Sequence, residues 1–334
     1  MIDKVQLFED FKDLKVLIIG DVMIDRYLWG AVHRMSPEAP VPVVHLQQSD
    51  NRLGGAANVA LNIKAMGAQP FMVSIVGEDE DGKIFQDLLP QEGIPSIGIL
   101  SSKERITTVK TRVIAGAQHL LRIDQEQTHS ISDQDSQRLI DQVIHLLDQQ
   151  KIDVILFQDY NKGVLNKEVI EQVIAAAQKR KIPTVVDPKF DNFFTYKGVD
   201  LFKPNLKEVT EALPFKVNSE LTALNKAAEF IKTKLSNKYT LITLSEKGIF
   251  LDLENESLII PTQPRQITDV CGAGDTVISI AALGMGAQMD IKDISILANL
   301  AGGQVCEKVG VVAVNKKQLE EEYLRLLAGV EIEK

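Results

Sequence analysis

The stretch Thr268-Asp269-Val270-Cys271-Gly272-Ala273-Gly274-Asp275-Thr276 constrains this chain more than any other. Two glycines bracket one alanine, and the run that follows, Val277 to Gly286, is apolar almost throughout. The glycines let the backbone turn tightly and bring its N–H groups close to a ligand. The apolar run reads as a buried helix. A turn that opens on a helix N-terminus presents unpaired N–H donors and the positive end of the helix dipole, which is a place for an anion. Asp275 stands at that end, where a carboxylate can take a proton from a hydroxyl attacking a phosphate. The same residues also suit a plain helix cap, with the aspartate stabilised by the dipole.

The rest of the composition narrows the class. The chain has 334 residues, 45% hydrophobic and 25% charged, the balance of a soluble globular protein, and is read as one α/β domain over 1–334. A net charge of −9 argues against nucleic acid or an anionic membrane as partner, while leaving room for a local cationic pocket. Two cysteines, Cys271 and Cys306, make a disulfide framework implausible and fit a reducing cytoplasm. Residues 1–10 lack the basic start and apolar core of a signal peptide, and no run reaches the roughly 18 apolar residues of a membrane span. The five histidines show no zinc-ligand spacing.

Taken in order, the chain alternates. Lys15 to Gly20 reads as a strand buried on both faces, with Asp21 and Asp25 following its end. Loop aspartates are also ordinary turn residues. Tyr27 to Gln47, with Trp29, Gly30 and three prolines, reads as extended edge structure. Gly54-Gly55 then opens a helix to about Met66, with Asn58 one turn on from Gly54. A strand over 70–77 and a helix over 81–91 follow. Short β segments over 96–100, 105–114 and 120–124 suggest, with the Tyr27 region, a small β lid of about 22–48 and 94–125. From Ser132 the regular helix–strand alternation argues a parallel, right-handed βαβ sheet. Lys162 and Lys189 fall just past two strand ends; exposed loop lysines would look the same. Asn205 and Glu208 share a helix face, and equally form a capping box. Strand 239–244 turns through Ser245-Glu246-Lys247-Gly248 into Ile249. A Rossmann oxidoreductase is disfavoured, because no Gly-x-Gly-x-x-Gly follows Lys15–Asp21.

Asp269 to Asp275 resembles the C-terminal signature of the ribokinase-like (PfkB) carbohydrate kinases. Gly54-Gly55 with Asn58, and Asn205-Leu206-Lys207-Glu208, resemble further motifs of that family in the same order. Arg34-Met35-Ser36-Pro37-Glu38-Ala39-Pro40-Val41-Pro42, Asp159-Tyr160-Asn161-Lys162-Gly163 and Asp187-Pro188-Lys189 resemble one subgroup, the heptose 7-phosphate kinases. The resemblance runs from about Lys15 to Leu319. It implies a three-layer sandwich around a central, mostly parallel sheet with a β lid. It implies Asp275 as catalytic base, with Gly272, Ala273 and Gly274 as anion hole. Asp25, Gly54, Gly55 and Asn58 would bind the sugar, and Lys162, Lys189, Arg34 and Arg112 are candidates for its distal phosphate. Asn205 and Glu208 would serve Mg2+ and the phosphates of ATP. Ser245, Lys247, Gly248 and Asn299 would lie toward the nucleoside.

The implied reaction is phosphorylation of the anomeric hydroxyl of D-glycero-D-manno-heptose 7-phosphate by ATP and Mg2+, a step toward ADP-heptose and lipopolysaccharide core precursors. A monovalent cation is a further candidate cofactor, and a homodimer through the lid the implied assembly. The bifunctional heptose enzymes carry an additional nucleotidyltransferase domain, so a chain of this length is expected to be the kinase alone. Fructose phosphate, ribose and nucleosides are the other acceptors the family allows. A binding regulator with a dead site is disfavoured by the presence of Asp275.

Overall fold

The computed structural model describes residues 6–116, 118–253 and 256–329; half of the N-terminal stretch read against a signal peptide lies outside them. A short helix α1 (Gln6–Asp10) leads into β1 (Lys15–Gly20). Beyond Asp21 come two long strands, β2 (Val22–Met35) and β3 (Pro42–Gly55), and then α2 (Ala56–Ala65), β4 (Gln69–Gly77), α3 (Glu80–Gln91) and β5 (Ile99–Ser102). Next are β6 (Val109–Ala115) and β7 (Gln118–Gln125). The chain then alternates through α4 (Asp133–Gln149), β8 (Val154–Gln158), α5 (Lys167–Arg180), β9 (Thr184–Asp187), β10 (Leu201–Phe202), α6 (Leu206–Ala212) and α7 (Leu221–Leu235). It closes with β11 (Tyr239–Thr243), β12 (Ile249–Asp252), β13 (Ser257–Ile260), α8 (Ala273–Gly286), α9 (Ile291–Cys306) and α10 (Lys316–Leu327).

Nine strands form one sheet in the order β13-β12-β11-β10-β9-β8-β1-β4-β5. It is parallel from β5 to β11, and β12 and β13 add antiparallel to one edge. The central strands are apolar on both faces, as a sheet covered on both sides requires. Val16 and Ile18 face one core with α2, α8 and α9; Leu17 and Ile19 face the other with α4, α5 and α7. The chain leaves β1 for β4 on one side and returns as β8 on the other. The carboxyl ends of β1 and β8 therefore form the crevice where open α/β sheets take ligands.

The remaining strands form a separate sheet, β3-β2-β6-β7, with β2 antiparallel to β3 and parallel to β6. This is the lid, and its bounds differ from the sequence reading at both segments: β3 carries it on past residue 48 to Gly55, and the later segment starts further on. Residues 94–102 belong to the body: β5 pairs parallel with β4, and Ile94 and Ile99 are buried in the main core. Four residues of strand are too short for periodicity to assign them to one sheet or the other. Among the described residues, no helix is long and apolar enough to cross a membrane.

The glycine turn opens onto the element expected. In α8, Ile278, Ile280, Ala281, Ala282 and Leu283 are fully buried, packed between α2 and α9. Ile280→Ala should cost about 2–5 kcal/mol of stability, the range for a large buried aliphatic truncated in a packed core. A urea titration should show the midpoint falling with the slope unchanged, and an unmoved midpoint would contradict this packing.

Candidate active site

Gly272 is the N-cap of α8 with φ of 79°, a left-handed conformation that strains any other residue. Among the described residues no side chain caps this helix end. Its first turn carries Asp275, which is buried at 9% exposure. Three elements supply donors to its carboxylate. Asn58, on the first turn of α2, donates through Nδ2 to Oδ2 at 2.7 Å. The Tyr160 hydroxyl donates to Oδ1, and Gln158, at the end of β8, donates Nε2 to the same atom at 3.2 Å. Asn62 fixes α2 against α8: its Oδ1 accepts from the Thr276 hydroxyl at 3.1 Å, and its Nδ2 donates to the Asn58 carbonyl.

Burial raises the Asp275 pKa to about 6, with the Asp187 carboxylate adding to it; the Tyr160 and Asn58 hydrogen bonds and Lys203 act against the rise. Asp275 is thereby held near the value that suits a general base at neutral pH.

A pocket of about 210 Å³ lies beside Asp275, lined by Gly272, Gly274, Gln158, Tyr160, Asp187, Lys189, Lys203, Asn205 and Thr243. It brings two lysines to an open helix N-terminus, a combination suited to phosphate groups. Lys203 is 2% exposed, and its Nζ lies 3.1 Å from Asp187 Oδ2. Lys189 is paired with Glu208 and stands over the Tyr160 ring. Burial works against its charge, but the Asp187 and Glu208 carboxylates outweigh that and raise its pKa, so it stays cationic. Lys189 thus lies in the pocket beside Asp275 and not in the lid. Asn205 and Glu208 form the full capping box of α6, Asn205 Oδ1 accepting from Glu208 N at 2.9 Å and Glu208 Oε2 from Asn205 N at 2.8 Å. The other oxygen of Glu208 takes Lys189.

A second cleft, about 350 Å³, lies between lid and body and is lined by Asp25, Tyr27, Asp50, Arg52, Asn58, Gln91, Glu92 and Val311 among others. Its lid wall follows from strand alternation. Asp25, Tyr27 and Trp29 on β2 share one face, and the register sets Asp25 opposite Arg52 on β3 and Tyr27 opposite Arg112 on β6. Arg112 pairs with Asp25 and lies over the Tyr27 ring. Gly54 is needed where it stands, because a Cβ there would run into the Asp25 carboxylate; Gly55 has φ of 61°. Asn58 lines this cleft while touching Asp275, so the carboxylate sits where the two spaces meet.

Other sequence candidates lie elsewhere. Lys162 is turned to the lid, its Nζ 2.9 Å from Glu126 Oε1, and Arg34 is exposed far along the β2 strand. Ser245, Lys247, Gly248 and Asn299 gather at the sheet edge. Lys247 Nζ donates to the Ser219 hydroxyl, and Asn299 Nδ2 to the carbonyls of Ile260 and Pro261. Neither pocket described above includes them. Sequence reasoning missed Gln158, Lys203 and Arg52. Lys203 had a signal, a lysine closing the apolar pair Leu201-Phe202 at a strand end. Arg52, the only Lys or Arg among the described residues lining the second cleft, had none.

The family profile described as pfkB family carbohydrate kinase matches residues 13–318. The chain belongs to the pfkB family of carbohydrate kinases. A curated relative, the bifunctional protein HldE of Syntrophotalea carbinolica, is 38% identical over 311 residues, which is 93% of this chain but 63% of that protein. The chain therefore spans less than two thirds of that relative's length. Among solved structures, phosphofructokinase-2 from Escherichia coli in complex with potassium superposes with a TM-score of 0.78 at 18% identity, covering 94% of this chain and 99% of that one. Arabidopsis thaliana ribokinase complexed with ribose and ATP gives 0.70 at 17% identity, covering 94% and 99%. These neighbours establish the ribokinase-like fold.

Because a general base works deprotonated, kcat/KM should fall with unit slope below about pH 6 and level off above it, following Asp275 in the free enzyme. Asn58→Ala removes a donor that favours the charged form and should move that limb to higher pH. Coincident profiles for parent and variant would show that Asn58 does not act on the base.

Proposed function

We propose that this carbohydrate kinase transfers the γ-phosphoryl group of ATP to the anomeric hydroxyl of D-glycero-D-manno-heptose 7-phosphate, giving the 1,7-bisphosphate. The observation that carries the phosphotransferase part is the place of Asp275, buried at an open helix N-terminus between a cationic pocket and a cleft under the lid. The acceptor reading rests on the HldE relative and on the segments resembling heptose 7-phosphate kinases.

In this reading the γ-phosphate lies against Gly272, Ala273 and Gly274, with Lys189 and Lys203 beside it. The sugar lies in the second cleft, its hydroxyls on Asp25 and Asn58. Asp275 takes the proton from the attacking hydroxyl; orientation and fixed charge do most of the remaining work. Among the described residues no group of three or more His, Cys, Asp or Glu could hold a metal. Mg2+ would keep much of its water and take its other ligands from phosphate oxygens, with Glu208 as the nearby carboxylate. When bound, Mg2+ neutralises phosphate charge. A monovalent cation, potassium in the phosphofructokinase-2 neighbour, is a further candidate.

The distal phosphate needs cations in a chain of net charge −9. Arg52, which lines the cleft, and Arg112, which pairs with Asp25 and lies over the Tyr27 ring, replace Lys162 and Lys189 as the best placed. The lid also supports a homodimer. Met35, Val41, Leu46, Leu121 and Ile123 are exposed on it, and β3 and β7 are its free edges, which a twofold partner would cover.

Asp275→Asn should retain ATP binding and lose about 10²–10⁴ in kcat, the contribution of a general base. Turnover like the parent's would reject the assignment. Against a panel of heptose 7-phosphate, unphosphorylated heptose, fructose 6-phosphate and ribose, the heptose phosphate should give the highest kcat/KM. Equal values for phosphorylated and unphosphorylated heptose would reject the acceptor reading while leaving the kinase intact. Light scattering at micromolar concentration should give a dimer.

A further inference from the structure

Asp275 has two oxygens, and the structure treats them differently. Oδ1 accepts from both the Tyr160 hydroxyl and Gln158 Nε2, while among the described residues Oδ2 accepts from Asn58 alone. Asn58 lines the lid cleft, whereas Tyr160 and Gln158 line the cationic pocket. Oδ2 is thus the oxygen on the acceptor's side, and Oδ1 is the one already saturated.

The Tyr160 ring is held there by buried machinery with no other evident task. Asp21, 1% exposed, accepts from three alternate loop amides: Tyr160 N at 2.8 Å, Lys162 N at 3.1 Å and Val164 N at 3.1 Å. Asp159, also 1% exposed, accepts from Asn161 N at 2.8 Å, Asn192 Nδ2 at 3.0 Å and the Tyr196 hydroxyl at 2.7 Å. Arg105 clamps the same loop by donating to the Lys162 carbonyl. Burying two carboxylates side by side is unfavourable: burial, then the neighbouring Asp21 charge, raises the Asp159 pKa to about 6. That cost is sustained in a loop whose one side chain reaching the reacting carboxylate is Tyr160.

We propose that Tyr160 is a positioning residue for the phosphoryl transfer: its hydroxyl occupies Oδ1 of Asp275 and so directs the acceptor's proton to Oδ2. The inference rests on the kinase reading of the site, and not on which sugar is the acceptor. The step balances simply. The acceptor O–H bond breaks, its proton goes to Oδ2, and its oxygen forms the bond to phosphorus as the bond from phosphorus to the leaving diphosphate breaks. Tyr160 keeps its own proton throughout, since burial and the Asp275 carboxylate both push the phenol well above its ordinary value. The titratable and charged groups that face Asp275 are the neutral Tyr160 phenol from the β8–α5 loop, Asp187 from the end of β9, Lys203 from beyond β10, and Lys189 from the β9 loop. Of these only Tyr160 hydrogen-bonds it.

The test uses the full chain with Tyr160→Phe and with 3-fluorotyrosine at position 160. A hydrogen bond to the charged form favours it, so losing the hydroxyl should shift the acid limb of kcat/KM to higher pH. The more acidic fluorophenol donates more strongly and should shift the limb to lower pH. Tyr160→Phe should lower kcat about tenfold at pH 7 with KM for ATP and acceptor little changed. Carboxyl ¹³C titration of Asp275 by NMR reads the same two shifts without turnover, so it remains valid if every tested acceptor fails. Opposite shifts in the two variants support the proposal. Shifts in the same direction, no shift, or a loss confined to KM would overturn it and leave Tyr160 a loop residue. Thermal unfolding of each variant identifies one that has simply lost its fold; the fluorotyrosine protein, which keeps the ring and hydroxyl, then decides alone.

Discussion

The structure turns on one carboxylate taken out of water. An unpaired buried charge is expensive, and donors from α2, β8 and the loop after it have to converge on Asp275 before it can be tolerated there. Those donors come from segments 217, 117 and 115 residues away along the chain. The long-range architecture of the body, with β1 flanked by β4 and β8 and with α2 packed on α8, is what makes the convergence possible. The crevice between the ends of β1 and β8 is thus where the sheet's topology and the site's electrostatics meet.

Much of this was legible in the sequence because it is written in local pattern. Helices Lys167–Arg180 and Lys316–Leu327 and strand Lys15–Gly20 are found where periodicity sets them. The glycine turn and its apolar helix announce themselves for the same reason: φ requirements and burial leave marks at the residues concerned. Strand β5 left too little mark. Its four residues carry no pattern long enough to say which sheet completes them, and only the partner strand β4 decides.

The site's charges were the least legible part, since a side chain's partner depends on tertiary placement. Lys162 and Lys189 look alike in sequence, each a lysine just past a strand end. One is turned to Glu126, just past the last lid strand, and the other to Glu208 beside the cationic pocket. Arg52 reads as an ordinary strand arginine until the register sets it opposite Asp25 and over Tyr27. The Asn205–Glu208 pair shows that two readings of one motif can both hold. The capping box is fully formed, and it presents Glu208, through Lys189, to the same pocket.

The lid has a mechanical consequence. Its two long strands leave the body at one point, where Ala56 N donates to the Asp21 carbonyl at 2.9 Å. From that root each runs 14 residues, as much as roughly 45 Å of chain at about 3.3 Å per residue. The lid is therefore a lever whose fulcrum lies beside Asp21, the residue that grips the Tyr160 loop, and whose far end carries the exposed apolar residues. A rotation at the fulcrum too slight to disturb the carboxylate's donors is magnified at the tip. Contact at the tip would, conversely, act through that long arm on the root, beside the cleft that Asp25 and Arg52 line.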